Sequence, residues 1–191
     1  METFKPYQRE TYLIHPKKFV LWLFIVASIM LFAGFTSAYI VRRGEGNWEL
    51  FRLLAFFYIN TFVILVSSVF MQLSLVHARK ENFPKLKIFL NFTLVLAIAF
   101  CAGQLYAWKQ MVQDNVFFAF SNPSNAFVYV ISGIHLTHVL AGMIFIFSII
   151  IQAHKFKVNK EDYLYISMCA TYWHFIGILW VYLITFLFLF R

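Results

Sequence analysis

The sequence predicts an all-α fold: an integral membrane bundle of five transmembrane helices, with the N-terminus inside and the C-terminus outside. Three observations carry this. The 191 residues are 62% hydrophobic and only 13% charged, whereas a soluble domain is nearer half apolar and a quarter charged. Five apolar stretches each reach the roughly 20 residues that a helix needs to cross a bilayer core of about 30 Å. The lysines and arginines gather in alternate connections, as the positive-inside rule asks of a multi-pass chain.

The elements follow in order. Behind a polar segment, Met1–Lys18, the first span is predicted at Phe19–Val41. Its apolar run far exceeds the about 7–15 residues of a signal-peptide core, so it reads as a membrane helix. It carries the small-residue pairs Ala33/Ser37 and Gly34/Ala38, a spacing that lets helix backbones approach. Arg42-Arg43-Gly44-Glu45-Gly46 ends it. The second span, Leu53–Val76, stops at His77-Ala78-Arg79-Lys80-Glu81-Asn82. The third, Leu86–Trp108, has Ala99/Gly103 at the same small-residue spacing. It is followed by Lys109–Asn125, a polar break with Asp114 and Ser121-Asn122-Pro123-Ser124. The fourth, Ala126–Ala153, bears a small-residue stripe of Gly133, Thr137 and Ala141. At about 100° per residue, His135, His138 and Gly142 fall on a separate face. Two faces needing protein contact place this helix at the centre of the bundle. After His154–Asp162 the fifth span runs Tyr163–Phe190. Residues 1–191 thus form a single transmembrane domain.

Basic residues set the direction. Lys5, Arg9, Lys17 and Lys18 precede the first span, Arg79, Lys80, Lys85 and Lys87 surround the second break, and Lys155, Lys157 and Lys160 lie at the fourth. These eleven face five on the other side, which makes their side cytoplasmic. Trp48 and Trp108 would mark the outer interface, and Trp22, Tyr163 and Tyr165 the inner one. The net charge of +8 is explained by this placement, so no nucleic-acid partner is expected. Cys101 and Cys169 sit at depths differing by about 13 Å, counted at 1.5 Å per residue. They read as small core residues, not as a disulfide.

Histidines are the unusual feature. His135 and His138, in Ser132-Gly133-Ile134-His135-Leu136-Thr137-His138-Val139-Leu140-Ala141-Gly142, lie deep in the fourth span. His174, in Tyr172-Trp173-His174-Phe175 with Trp180 six residues on, lies deep in the fifth. His77 stands at a helix end, and no Asp, Glu, Lys or Arg is well inside any span. An ionisable group at that depth is costly unless a partner or a function retains it. Three readings compete. The imidazoles could hydrogen-bond across helices to Ser, Thr, Tyr or Gln. They could ligate a metal or haem, although His138 and His174 differ in depth by several ångströms. They could relay protons, although no buried carboxylate completes a chain. Trp173 and Trp180, seven apart on one face, are too deep for the interfacial belt and should pack against neighbouring helices.

These runs resemble subunit III of the haem-copper terminal oxidases, the cytochrome c and quinol oxidases. The resemblance rests on the Ser132–Gly142 pattern, on Tyr172–Phe175 with Trp180, on Leu31–Tyr39 with Gly34, Phe35 and Ala38, and on Gln104 with Trp108. The long form of that family has seven helices, and this chain looks like the short, five-helix form. What the resemblance implies is an accessory subunit without haem, copper or catalytic residues of its own. It would pack beside the haem- and copper-bearing catalytic subunit I, hold phospholipids between its helices, sustain proton uptake and protect subunit I from inactivation. Its location would be the bacterial cytoplasmic membrane. His135, His138, Gly142, Tyr172, Trp173, His174, Trp180 and Gln104 are then structural or lipid-contact candidates. Ser28, Ala107 and Gly177 stand where the family often has acids, so roles of those acids do not carry over. Alternatives are the accessory subunit of a nitric oxide reductase, a haem-binding cytochrome b-type carrier, and a stand-alone membrane scaffold or transporter.

Overall fold

A computed structural model of the chain describes residues 15–46, 55–118, 123–155 and 160–190. It contains five helices: α1 (Pro16–Gly44), α2 (Ala55–Arg79), α3 (Phe83–Gln113), α4 (Pro123–Lys155) and α5 (Lys160–Phe190). All five are long and apolar enough to cross a membrane, and the described residues contain no strand. Trp48 and the first two residues of the expected second span, Leu53 and Leu54, lie outside the described residues.

Each helix outruns its apolar stretch by a turn or so, because the backbone ladder ends at a cap and not where hydropathy falls. Pro16 opens α1 with His15 as N-cap, whose imidazole accepts from the Lys17 amide at 3.3 Å. A proline at this point loses nothing, since its missing N–H would have no intrahelical partner. Asn82 caps α3 by accepting from the Lys85 amide at 3.4 Å. Between α2 and α3, Glu81 turns the chain at φ 54°. That tight connection makes α2 and α3 the most extensively packed pair.

Helices α2, α3, α4 and α5 form a closed ring of neighbours, α2 against α3, α3 against α4, α4 against α5 and α5 back against α2. Among the described residues α1 packs only on α4 and α5, outside the ring. It does so through Ile25, Ser28, Phe32, Thr36 and Tyr39. The Thr36 and Tyr182 hydroxyls lie 3.1 Å apart, and the Tyr39 hydroxyl donates to the Phe190 carbonyl at 3.2 Å.

The most enclosed helix is α5, not α4. Half of α5's most apolar 18-residue segment is buried, against 22–33% in the other four. Helix α4 also packs on three others, α1, α3 and α5, through its histidine–glycine face and Gly133, while Thr137 and Ala141 of the small-residue stripe are exposed. The pairs on α1 also point outward, with Ala33, Gly34, Ser37 and Ala38 all exposed. Small side chains permit a close approach, but the large buried side chains on the opposite face of α1 decide where it packs.

The outer surface is apolar. Met30, Phe62, Ile144 and Ile178 are each 69–70% exposed. In water so much exposed apolar surface would drive association; lipid solvates it. Tyr163 accepts from Arg79 Nε at 2.6 Å, and Lys17 Nζ donates to the Tyr165 hydroxyl. Both tyrosines therefore sit at the helix ends where the basic residues gather.

Candidate functional site

The histidine and tryptophan residues converge on the seams around α4 and α5. Gly142 is the point of closest approach. A Cβ added there would lie 2.9 Å from Trp173 Cζ3 and 3.2 Å from Ile176 Cδ1. The lack of a side chain on α4 lets the Trp173 ring lie flush against it, only 1% exposed. The Trp173 indole N–H donates to Ser67 Oγ of α2 at 3.1 Å, and Ser67 Oγ donates to the Thr93 carbonyl of α3 at 3.3 Å. One side chain thus ties three helices.

Two turns on, Trp180 repeats the device. Its indole N–H donates to Thr61 Oγ1 at 3.1 Å. Its ring stacks on His135 with centroids 4.8 Å apart and planes at 29°. Phe100 of α3 meets both edge-on, at 5.1 Å from Trp180 and 6.0 Å from His135. Both ring nitrogens of the fully buried His135 lack a hydrogen-bond partner in the protein, as do both amide atoms of the fully buried Gln104.

His138 faces a different seam, towards α1. Its Nδ1 lies 2.8 Å from the Ile134 carbonyl, which can only accept, so Nδ1 carries the proton. Its Nε2 lies 3.2 Å from Ser28 Oγ, whose own hydroxyl donates to the Phe24 carbonyl at 2.9 Å. Phe24 and Phe32 of α1 flank the ring at 5.9 and 5.5 Å, and the Tyr172 hydroxyl donates to the His138 carbonyl at 3.2 Å. Ser28 therefore takes part directly in fastening α1. His174 turns the other way, to α2. With Gln72 Oε1 accepting from Nε2 at 3.0 Å, Nδ1 accepts from the Ser68 hydroxyl. Both imidazoles thus act as interhelical bridges, His138 from α4 to α1 and His174 from α5 to α2.

Of the eight candidates, the structure brings together Gly142 with Trp173, His135 with Trp180, and Tyr172 with His138. His138 and His174 are directed into separate seams and do not face one another. Among the described residues no three His, Cys, Asp or Glu side chains gather as a metal-ligand set. Cys101 and Cys169 are free thiols, and Cys101 Sγ contacts Met143 Sδ at 3.6 Å. Sequence reasoning missed the partners on α2: Thr61, Ser67, Ser68 and Gln72. Their signal was present, since Thr61, Ser68 and Gln72 recur at sevens and fours inside an apolar span, the spacing of one helix face. An apolar groove of ≈ 230 Å³ lies between α1 and the α4–α5 pair, lined by Leu21, Phe24, Ala141, Phe145 and Tyr172.

Comparison with known proteins gives this arrangement its family. The family described as cytochrome c oxidase subunit III matches residues 8–191. Similar relatives include cytochrome c oxidase subunit 3 of Alkalihalophilus pseudofirmus, 30% identical, with 88% of this chain and 84% of the relative aligned. Cytochrome c oxidase subunit 3 of Bacillus subtilis is 25% identical over 99% of this chain and 98% of its own length. Cytochrome bo(3) ubiquinol oxidase subunit 3 of Buchnera aphidicola is also 25% identical, over 91% and 93%. With the match running through all five helices and both histidine runs, the chain belongs to the cytochrome c oxidase subunit III family, the accessory subunits of haem-copper oxidases.

Proposed function

We propose that this chain supports a haem-copper oxidase by packing and by holding lipid, and that it carries out no redox or proton-transfer step itself. One observation carries the reading: His138 and His174 are both spent as interhelical bridges, to Ser28 and to Ser68 with Gln72. Helices fastened in this way offer a fixed surface to a neighbouring subunit. The partner is the catalytic subunit I, which holds the haem and copper. The ≈ 230 Å³ groove beside Phe24 and Tyr172 suits one acyl chain of a phospholipid, because its lining is apolar. Similar relatives are subunits of cytochrome c and quinol oxidases alike, so the role is the one common to both. The membrane is the bacterial cytoplasmic membrane, and residues 1–191 act as one domain.

The test compares the oxidase with and without this subunit. Removing it should leave the initial turnover number nearly unchanged while shortening the enzyme's working lifetime under sustained turnover. Loss of the first turnover, with lifetime normal among the remaining active molecules, would assign the chain a direct catalytic part and end the packing reading.

The direction in the membrane is N-in, C-out. The uneven split of lysine and arginine supports it, as do the tyrosines that meet Lys17 and Arg79 at one end. A cysteine placed at Asn47 should react with an impermeant thiol reagent on intact cells, and one at Lys157 should not. The reverse pattern would invert the topology.

A further inference from the structure

Six buried side-chain polar atoms among the described residues lack a hydrogen-bond partner: Asn60 Nδ2, both amide atoms of Gln104, Gln110 Oε1 and both ring nitrogens of His135. Five of the six fall in one layer of the bundle, which side-chain contacts close into a ring. Asn60 lies against Gly103, the residue before Gln104. Trp108 donates to Ser132 at 3.1 Å, which sets the antiparallel register of α3 and α4. One turn back along α3, Gln104 is therefore level with Leu136, the neighbour of His135. His135 stacks on Trp180, and Trp180 donates to Thr61, the residue after Asn60.

Gln104 and His135 are both 0% exposed and Asn60 is 3% exposed. They occupy facing helices at one level, yet they make no hydrogen bond to one another. Orphaned polar atoms in a low-dielectric interior cost about 1–3 kcal/mol each, and native interiors satisfy nearly all of them with protein or with ordered water. A cluster of five in a single layer, while the neighbouring Trp173, Trp180, His138 and His174 are all satisfied, marks a site for a ligand.

We propose that this Asn60–Gln104–His135 layer binds ordered internal water that bridges the Gln104 amide to a His135 ring nitrogen. Water is the ligand whose chemistry fits. The groups here are two carboxamides and an imidazole, which between them offer donors and acceptors and no fixed charge. The surrounding rings of Phe100 and Trp180 provide no competing acceptor in their planes. A buried water requires two to four polar partners, and the layer supplies them from α2, α3 and α4. Bound there, it would link α3 to α4 at the level where Trp180 joins α5 to Thr61 of α2.

The experiment is a high-resolution structure of the full chain in its native complex in lipid nanodiscs, together with the substitutions Gln104→Leu and His135→Phe, alone and combined. The expected map has a solvent peak within hydrogen-bond distance of both the Gln104 amide and a His135 nitrogen. Each single substitution should lower the thermal midpoint by several degrees, because it strands the water's other partner. The double substitution should lower it by less than the two singles together. A direct Gln104–His135 bond, a peak on only one of them, or a layer without a peak would overturn the proposal. So would strictly additive midpoint shifts.

Discussion

Replacing Gly142 by valine should drive α4 and α5 apart and destabilise the subunit by about 2–4 kcal/mol, the sum of overpacking and a lost interhelical bond. The neighbour that must give way is Trp173, whose Cε3 and Cζ3 lie 3.0 and 2.9 Å from the position of the new Cβ. It cannot yield cheaply. The ring is 1% exposed, and its N–H is committed to Ser67 on α2 at 3.1 Å. Moving it breaks that bond and shifts α5 against two helices at once. Gly34→Val is the matched control, because nothing lies within 4 Å of a Cβ there and the residue is exposed. Denaturant unfolding of the purified subunit in mild detergent reads the difference. Equal effects at the two glycines would show that the Gly142–Trp173 contact does not hold the bundle.

A larger loss is expected from Trp180→Ala, about 3–5 kcal/mol by analogy with tryptophan truncations in protein cores. Trp180 stacks on His135, meets Phe100 edge-on at 5.1 Å and lies 6.3 Å from Phe57, so its removal empties the point where α2, α3, α4 and α5 meet. Between helices in lipid, close packing supplies much of the attraction that the hydrophobic effect supplies in water. A void at this junction therefore removes the principal contact energy. Trp180→Phe keeps most of the ring contact and loses the bond to Thr61 at 3.1 Å. It should cost about 1 kcal/mol, the scale of one interhelical hydrogen bond in a membrane. Unfolding midpoints of the two variants decide between packing and hydrogen bonding. If phenylalanine proved as damaging as alanine, the indole N–H would be the dominant group.

The histidine candidates were legible in part. That His138 and His174 should be hydrogen-bonding bridges was one of three open readings, and their choice of helix was not readable at all. Spacing within a helix places His135 and His138 a turn apart, but three residues are also about 300° of rotation. That offset is enough to aim His138 at α1 while His135 stacks on α5. Ser28 shows the same limit. In the sequence it marked a departure from the family's acids; in the fold it is the hydroxyl that fastens α1 to α4. Ala107 is fully buried, and Gly177 has open space around its Cβ position.

The number of helices and their approximate limits followed from the sequence alone, because crossing lipid forces every backbone polar group into a helix and every helix into a long apolar run. Those are local demands that each segment must meet by itself. Family membership was legible for a similar reason, since the two histidine runs are contiguous in the chain. Which helix is the most enclosed was not legible. In a bilayer the inner and outer faces are both apolar, so hydropathy does not distinguish a face that packs on protein from one that meets lipid. The small-residue pairs of α1 pointed to an interface and face outward. The enclosure of α5 depends on Trp173 and Trp180 reaching α2, with Gly142 leaving room on α4. Such a fit involves side chains from separate helices, and it exists only once all five are brought together.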